Sequence, residues 1–295
     1  HIFMVGSVSD TVIMGTDTLN PKEDPLTYFL GAFNESGTPI WARQFPLAVR
    51  LYKISLTSDN NLLVSGEYLK SFSFSVSAKD SVVIGNDTLL FKNGQLFLGL
   101  FDNQGIPIWA KNFGDIASGS NNVQLSDHVL DSEDNIHITG IFRDTAYFQT
   151  DTLIRTDGGK IYVTKFDKNG NELWVRQAGH AAGTQRSYGI SVDPESNIFI
   201  TGRIRDSSYF GNTLLTSPFG VSFMFLSKLN SEGDFLWTKS AGASTPWVLG
   251  GQISPTTAGT SVANDPFGNV FISGFYSDTV QFGNAIFYPP CDHEW

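Results

Sequence analysis

The sequence predicts an all-β fold: a β-propeller of four-stranded antiparallel blades of about 65 residues each. Three observations predict it. A tryptophan recurs at Trp41, Trp109, Trp174 and Trp237, at intervals of 68, 65 and 63 residues. Each is preceded by the same turn, and a second, different turn recurs upstream of it. No stretch carries the 3.6-residue apolar period of an amphipathic helix, so the repeating unit is built from strands alone.

The tryptophan phrase reads Asp/Asn-x-x-Gly-x-x-x-Trp in all four copies, with glycines Gly37, Gly105, Gly170 and Gly233. Asp or Asn caps a tight turn with its side chain, and glycine takes the positive-φ position that closes it. Apolar runs lead into the turn at Tyr28–Phe33, Phe97–Phe101, Ile161–Phe166 and Phe223–Leu229. The strand that leaves the turn carries the tryptophan and, two residues on, Arg43, Lys111, Arg176 or Lys239. Residues i and i+2 share a face of a strand. The pattern therefore suits a tryptophan between blades and a cation blunting an outer edge strand better than a ligand contact.

The upstream hairpin has a return strand of hydrophobic residues that closes on glycine: Gly6, Gly66, Gly140, Gly202 and Gly274. Turn residues precede four of the five, as in Ser58–Asn61, Asp131–Asn135, Asp193–Asn197 and Asp265–Asn269, and short first strands such as Tyr188–Val192 precede the turns. An Asp-Ser/Thr pair follows at Asp10, Asp80, Asp144, Asp206 and Asp278. Four pairs lie four residues past the glycine; Asp80 lies fourteen past it, an insertion of ten in the second blade. Each unit is therefore strand, tight turn, strand, longer excursion, strand, tight turn, strand. The approximate units are 1–49, 50–119, 120–182, 183–245 and an incomplete 246–295, about four and a half blades of one propeller. The first unit begins at a second strand, and the last stops before a third. With no initiator Met, the chain reads as an internal piece of a longer precursor and an arc of a larger ring.

These phrases resemble the bacterial β-propeller repeat called SBBP. The resemblance rests on Asp193-Pro-Glu-Ser-Asn-Ile-Phe-Ile-Thr-Gly202, on the excursion pair Phe210-Gly211, and on Lys165-Phe-Asp-Lys-Asn-Gly-Asn-Glu-Leu-Trp174. It extends over nearly the whole chain. It implies a large secreted or surface-exposed bacterial protein, often exported with the help of a C-terminal sorting module, and it brings no common catalytic residues. The tryptophan turn also looks like the Asp box of sialidase-type propellers, which raises a carbohydrate-active or carbohydrate-binding alternative. The Asp box is a structural turn, so the likeness carries no activity with it.

Composition narrows the partners. Net charge is −10 and no Lys/Arg cluster stands out, which argues against nucleic acid. No apolar run approaches the roughly 20 residues of a membrane-spanning helix. A single cysteine, Cys291, allows no intrachain disulfide. The N-terminus lacks the basic start and apolar centre of a signal peptide.

Tight turns fall on one end of the sheets and the variable connections on the other, where rigid scaffolds carry binding residues. The connections in question are 113–124, 178–187 and 241–259. Candidate ligand residues at that end are Trp247, His180, Arg143, Arg203 and Arg205, for a protein or glycan partner in a larger surface assembly. An aromatic such as Trp247 can stack on a sugar or anchor a protein contact, although it also suits a plug between blades. The nearness of Asp144 and Asp206 favours local ion pairs for the arginines.

No catalytic residue, metal site or cofactor is expected. His128, His137 and His180 have no H-x-x-x-H spacing, and no G-x-S-x-G motif sits in a strand-turn-helix setting. The run from Asp167 looks like a calcium loop but lacks the later bidentate Glu. Asp292, His293 and Glu294 could ligate a cation. Asn34 and Asn86 fit the glycosylation pattern by chance. The expected function is a non-catalytic, secreted or cell-surface module for adhesion, protein interaction or architecture.

Overall fold

The β-rich phrases become five principal antiparallel sheets, with short hairpins between them, in a computed structural model. It describes residues 1–21, 26–46, 49–68, 81–90, 96–116, 123–154, 160–179, 184–218, 221–243, 256–277 and 279–288, and no helix occurs among them. Sheet one joins Ile2–Val8, Thr27–Phe33 and Pro39–Gln44. Sheet two runs from Val49–Leu56 through Leu62–Tyr68 and Leu96–Phe101 to Pro107–Phe113. Sheet three runs through Val123–Leu130, Ile136–Phe142, Lys160–Phe166 and Glu172–Ala178. Sheet four runs through Gln185–Val192, Ile198–Arg205, Ser222–Leu229 and Phe235–Ala243. The fifth holds Thr257–Asn264 and Val270–Tyr276.

Both kinds of tight turn are closed by the residues that recur. Asn34, Asp102, Asp167 and Asn230 each accept, through one side-chain oxygen, hydrogen bonds from the amides two and four residues on. Gly37, Gly105, Gly170 and Gly233 sit at φ of 78°, 74°, 72° and 84°. The upstream turns use Asn60, Asp134, Ser196 and Gly268 at positive φ.

The glycine that closes each return strand answers a bulge in the first strand. Pairing slips by one residue between Leu51 and Lys53, Leu125 and Asp127, Ser187 and Gly189, and Gly259 and Ser261. The bulge drives a backbone carbonyl toward the partner strand. A Cβ at Gly66, Gly140, Gly202 or Gly274 would collide with the carbonyl of Arg50, Gln124, Arg186 or Ala258. The third strand places an aromatic residue opposite each of the first four of these glycines: Phe29, Phe97, Tyr162 and Phe225 face Gly6, Gly66, Gly140 and Gly202.

The cores lie between sheets. Leu30, Ala32 and Trp41 of sheet one meet Leu62, Val64 and Phe97 of sheet two. Leu63, Leu96 and Leu98 meet Ile136, Ile138 and Tyr162 of sheet three. Ile161 and Val163 meet Ile198, Ile200 and Phe225 of sheet four. The first strand of each later sheet leans on the strands of the one before it.

The excursion between second and third strands is itself a two-stranded hairpin in each unit: Val12–Met14 with Asp17–Leu19, Ser81–Ile84 with Asp87–Leu90, Ala146–Tyr147 with Thr152–Leu153, Ser207–Phe210 with Thr213–Thr216, and Val280–Phe282 with Ala285–Phe287. Three of them also hook the tail of the preceding outer strand. Asp115–Ile116 pairs with Ala146–Tyr147, the Gly179 amide donates to the Tyr209 carbonyl (2.8 Å), and Gly242 and Ala243 pair with Gln281 and Val280. Asp80 and Asp278 lie outside the described residues, as does the ten-residue insertion of the second unit.

Candidate functional site

Three of the tryptophans, Trp41, Trp109 and Trp174, join one sheet to the next. A Cβ on Gly105 would lie 2.7 Å from the Trp41 ring, one on Gly170 2.9 Å from Trp109, and one on Gly233 3.0 Å from Trp174. The Trp41 and Trp174 indole N–H groups donate to the Asn103 and Ser231 carbonyls of those same turns, both at 3.2 Å. Arg43, Lys111 and Arg176 lie over their own tryptophans at 5.4, 5.8 and 5.4 Å from the ring centroid. Arg176 goes on to donate to the Glu232 carbonyl (2.9 Å), and Lys111 to the Asn171 side chain (2.8 Å). Trp237 meets Phe199 of its own sheet edge-on at 6.1 Å. Gly37, which no described tryptophan covers, has nothing within 4 Å of where a methyl group would stand.

The first strands carry a polar node that spacing alone did not reveal. Lys53 Nζ donates to Asp127 Oδ1 (2.6 Å) and to the His128 carbonyl (2.7 Å). Asp127 Oδ2 accepts the Ile190 amide (3.1 Å), so one carboxylate links sheets two, three and four. His128 is fully buried between Ser65 Oγ, 2.8 Å from Nδ1, and Ser55 Oγ, 2.9 Å from Nε2. Burial and the nearby Lys53 ammonium push its pKa down to about 3. At neutral pH the ring is uncharged, donating to one serine and accepting from the other. So low a pKa makes it a weak general base, and the arrangement ties three strands rather than activating a nucleophile.

His137 is engaged through one ring nitrogen, its buried Nδ1 having no partner among the described residues. Its Nε2 donates to Asp131 Oδ2 at 3.0 Å, and Lys165 Nζ stands 3.6 Å from the same oxygen. Burial pushes the Asp131 carboxyl up, but hydrogen bonds from His137 and from Asn135 and Glu133 outweigh it and hold the group well below the usual range. Burial also lowers His137, against the pull of Asp131. No cluster of three or more His, Cys, Asp or Glu with metal-holding geometry occurs among the described residues.

The arginines behave differently from one another. Trp247 and His180 lie outside the described residues, as do Cys291, Asp292, His293 and Glu294. Arg143 lies half-buried at the end of sheet three. Arg203 and Arg205 make no ion pair among the described residues, which corrects the expectation of local pairs with Asp206. Instead Arg203 stands directly opposite Arg186, and the Arg205 amide bonds the Thr184 carbonyl at 3.1 Å. The alternation of a strand puts all three side chains on one face of sheet four. The Nε of Arg186 is buried without a partner.

The same register position in sheet two holds Arg50 opposite Glu67, an ion pair at 3.3 Å, with the Arg50 Nε on the Tyr28 hydroxyl at 3.1 Å. In sheet three it holds Gln124 opposite Ile141, and in sheet five Ala258 opposite Phe275. Only sheet four sets cation against cation. Like charges directly opposite each other destabilise a strand pair.

Residues 173–217 match the family model described as SBBP, a beta-propeller repeat. An uncharacterized WD repeat-containing protein of Acanthamoeba polyphaga mimivirus is 23% identical over 261 residues, which are 76% of this chain and 18% of that protein. The chain thus spans less than a fifth of the length of the curated relative it matches. A solved structure of a protein of unknown function from Bacteroides caccae aligns with a TM-score of 0.35 and 8% identity, over 73% of this chain and 77% of that one.

Proposed function

For a β-propeller repeat protein, we propose the role of a non-catalytic interaction module, displayed outside the cell or on its surface. One observation carries the reading. His128, the Asp131 and Asp127 carboxylates and Lys53 are spent on internal bonds, whereas Arg186, Arg203 and Arg205 lack an anionic partner among the described residues. Groups satisfied inside the fold hold sheets together; charges left open at the end with the long connections are what a partner can use. Repeated sheets latched in series supply a rigid base for that end. The four-stranded blade as the unit, and an arc of about four and a half blades within a larger ring, belong to the same proposal.

Hydrolysis assays of the native full-length protein on a panel of glycosides test the non-catalytic part, and protease shaving of intact producing cells tests the surface part. The expected results are no turnover and release of peptides from this chain. Turnover that disappears when one Asp or Glu is replaced overturns the first, and shaving that releases no peptide from this chain overturns the second.

A further inference from the structure

We infer that the arginine face of sheet four is a binding site for neighbouring carboxylates on an acidic peptide segment of a protein partner. This rests on the interaction-module reading and names the chemistry of its partner. Three observations converge. Arg186 and Arg203 are directly opposed in register, and Arg205 lies two residues beyond Arg203 on the same face. The buried Nε of Arg186 donates to nothing. The equivalent pair in sheet two is a neutralised Arg50–Glu67 ion pair, so the repeat tolerates a carboxylate where sheet four has Arg203.

Opposed residues on adjacent strands hold their side-chain roots about 5 Å apart. Two guanidiniums at that spacing can each take a carboxylate bidentately, and Arg is suited to this because its donors form a planar fork. The described residues around the group favour a peptide over a sugar. Met224 and Ser222 face Arg203 and Arg205 on the third strand, and Ser222 bridges to Thr256. None of these offers the aromatic platform on which a sugar ring stacks.

The test uses the whole chain and a fluorescein-labelled hexaglutamate peptide, followed by anisotropy at low salt. Hexaglutamine and trigalacturonate serve as the neutral peptide and the carboxylated sugar. Saturable binding of hexaglutamate is expected, and none of hexaglutamine. Binding should weaken at least tenfold in Arg203→Glu. Lys168→Gln should stay within twofold of the parent, because Lys168 is an exposed cation in the Asp167–Gly170 tight turn, at the opposite end of the sheets. Arg203→Glu should also unfold at the same or a higher temperature, since it recreates beside Arg186 the Arg50–Glu67 arrangement. Lost binding together with retained stability marks a ligand role rather than a structural one.

Unchanged binding in Arg203→Glu, equal binding of hexaglutamine, or a lowered unfolding temperature would overturn the inference. Tighter binding of trigalacturonate would replace the peptide with an acidic glycan. A hydrolytic activity in the glycoside assays would overturn the non-catalytic reading and leave these binding results standing.

Discussion

A methyl group at Gly202 would strike the Arg186 carbonyl, whereas one at Gly37 would meet nothing within 4 Å. Two glycines of the same repeat thus have different jobs. Gly37→Ala costs only the left-handed backbone of its turn, about 1 kcal/mol. Gly202→Ala must displace a bulged strand, and overpacking of this kind costs about 3 kcal/mol. Gly105→Ala should fall between them, because it has the φ of Gly37 but sits under the Trp41 ring. Urea unfolding of the three variants checks that order; equal losses would remove the bulge from the explanation. His128 makes the pH prediction. Its folded pKa, about 3, lies below the ordinary histidine value of about 6.5. The unfolded chain therefore binds the extra proton first as pH falls. Stability from the neutral ring is complete above about pH 6.5 and declines toward pH 3, by an amount on the order of a few kcal/mol. The low-lying Asp131 carboxyl adds a loss in the same direction at still lower pH. His128→Gln should flatten the slope between pH 6.5 and 4 in denaturation midpoints. A slope as steep as the parent's would mean another group sets it.

At the scale of elements, the hairpins were legible and the excursions were not. The turns announce themselves through short-range chemistry: a capping Asp or Asn, a positive-φ glycine, and a strand of fixed length on either side. That is why all four tryptophan turns and the return strands could be placed from sequence. The excursion hairpins are built from strands of two to four residues, too short to show a two-residue period. Their signal was nevertheless present as Gly15, Gly85, Gly211 and Gly283, all at positive φ, each followed by a short apolar run. Three of these glycines dock on the strand ahead of the tryptophan, against Ile40, Pro107 and Phe235. The third unit solves the same docking differently. Gln149 replaces the glycine, Glu172 replaces the proline, and the Glu172 carboxylate accepts the amides of Gln149 (3.2 Å) and Thr150 (3.0 Å). Glu172→Ala should therefore loosen one hairpin alone. Amide exchange at 146–153 should accelerate while Ile136–Phe142 keeps its protection; faster exchange throughout sheet three would contradict a local role. The polar node around His128 and the Arg186–Arg203 opposition were hidden for another reason. They join residues 63 to 75 apart or set by strand register, and register in these sheets depends on a bulge that the sequence does not advertise.

At the scale of the whole molecule, the sheets are coupled in series, each core being shared by two neighbours. Such an array passes destabilisation to the adjoining sheet more than to distant ones. Trp174→Ala should cost about 3 kcal/mol or more from lost burial, and should raise amide exchange in sheets three and four while sparing sheet one. Exchange confined to sheet three would show that the tryptophan does not cross the junction. The central claim is that Trp41, Trp109 and Trp174 each close over the glycine turn of the following sheet and so join the repeat step by step. The most direct measurement is an NMR spectrum of glycine-labelled protein with NOEs to the indole rings. The Hα protons of Gly105, Gly170 and Gly233 should be shifted upfield and show NOEs to Trp41, Trp109 and Trp174, with Gly37 near its random-coil position. Indole NOEs that stay within each tryptophan's own sheet, with all four glycines alike, would contradict it.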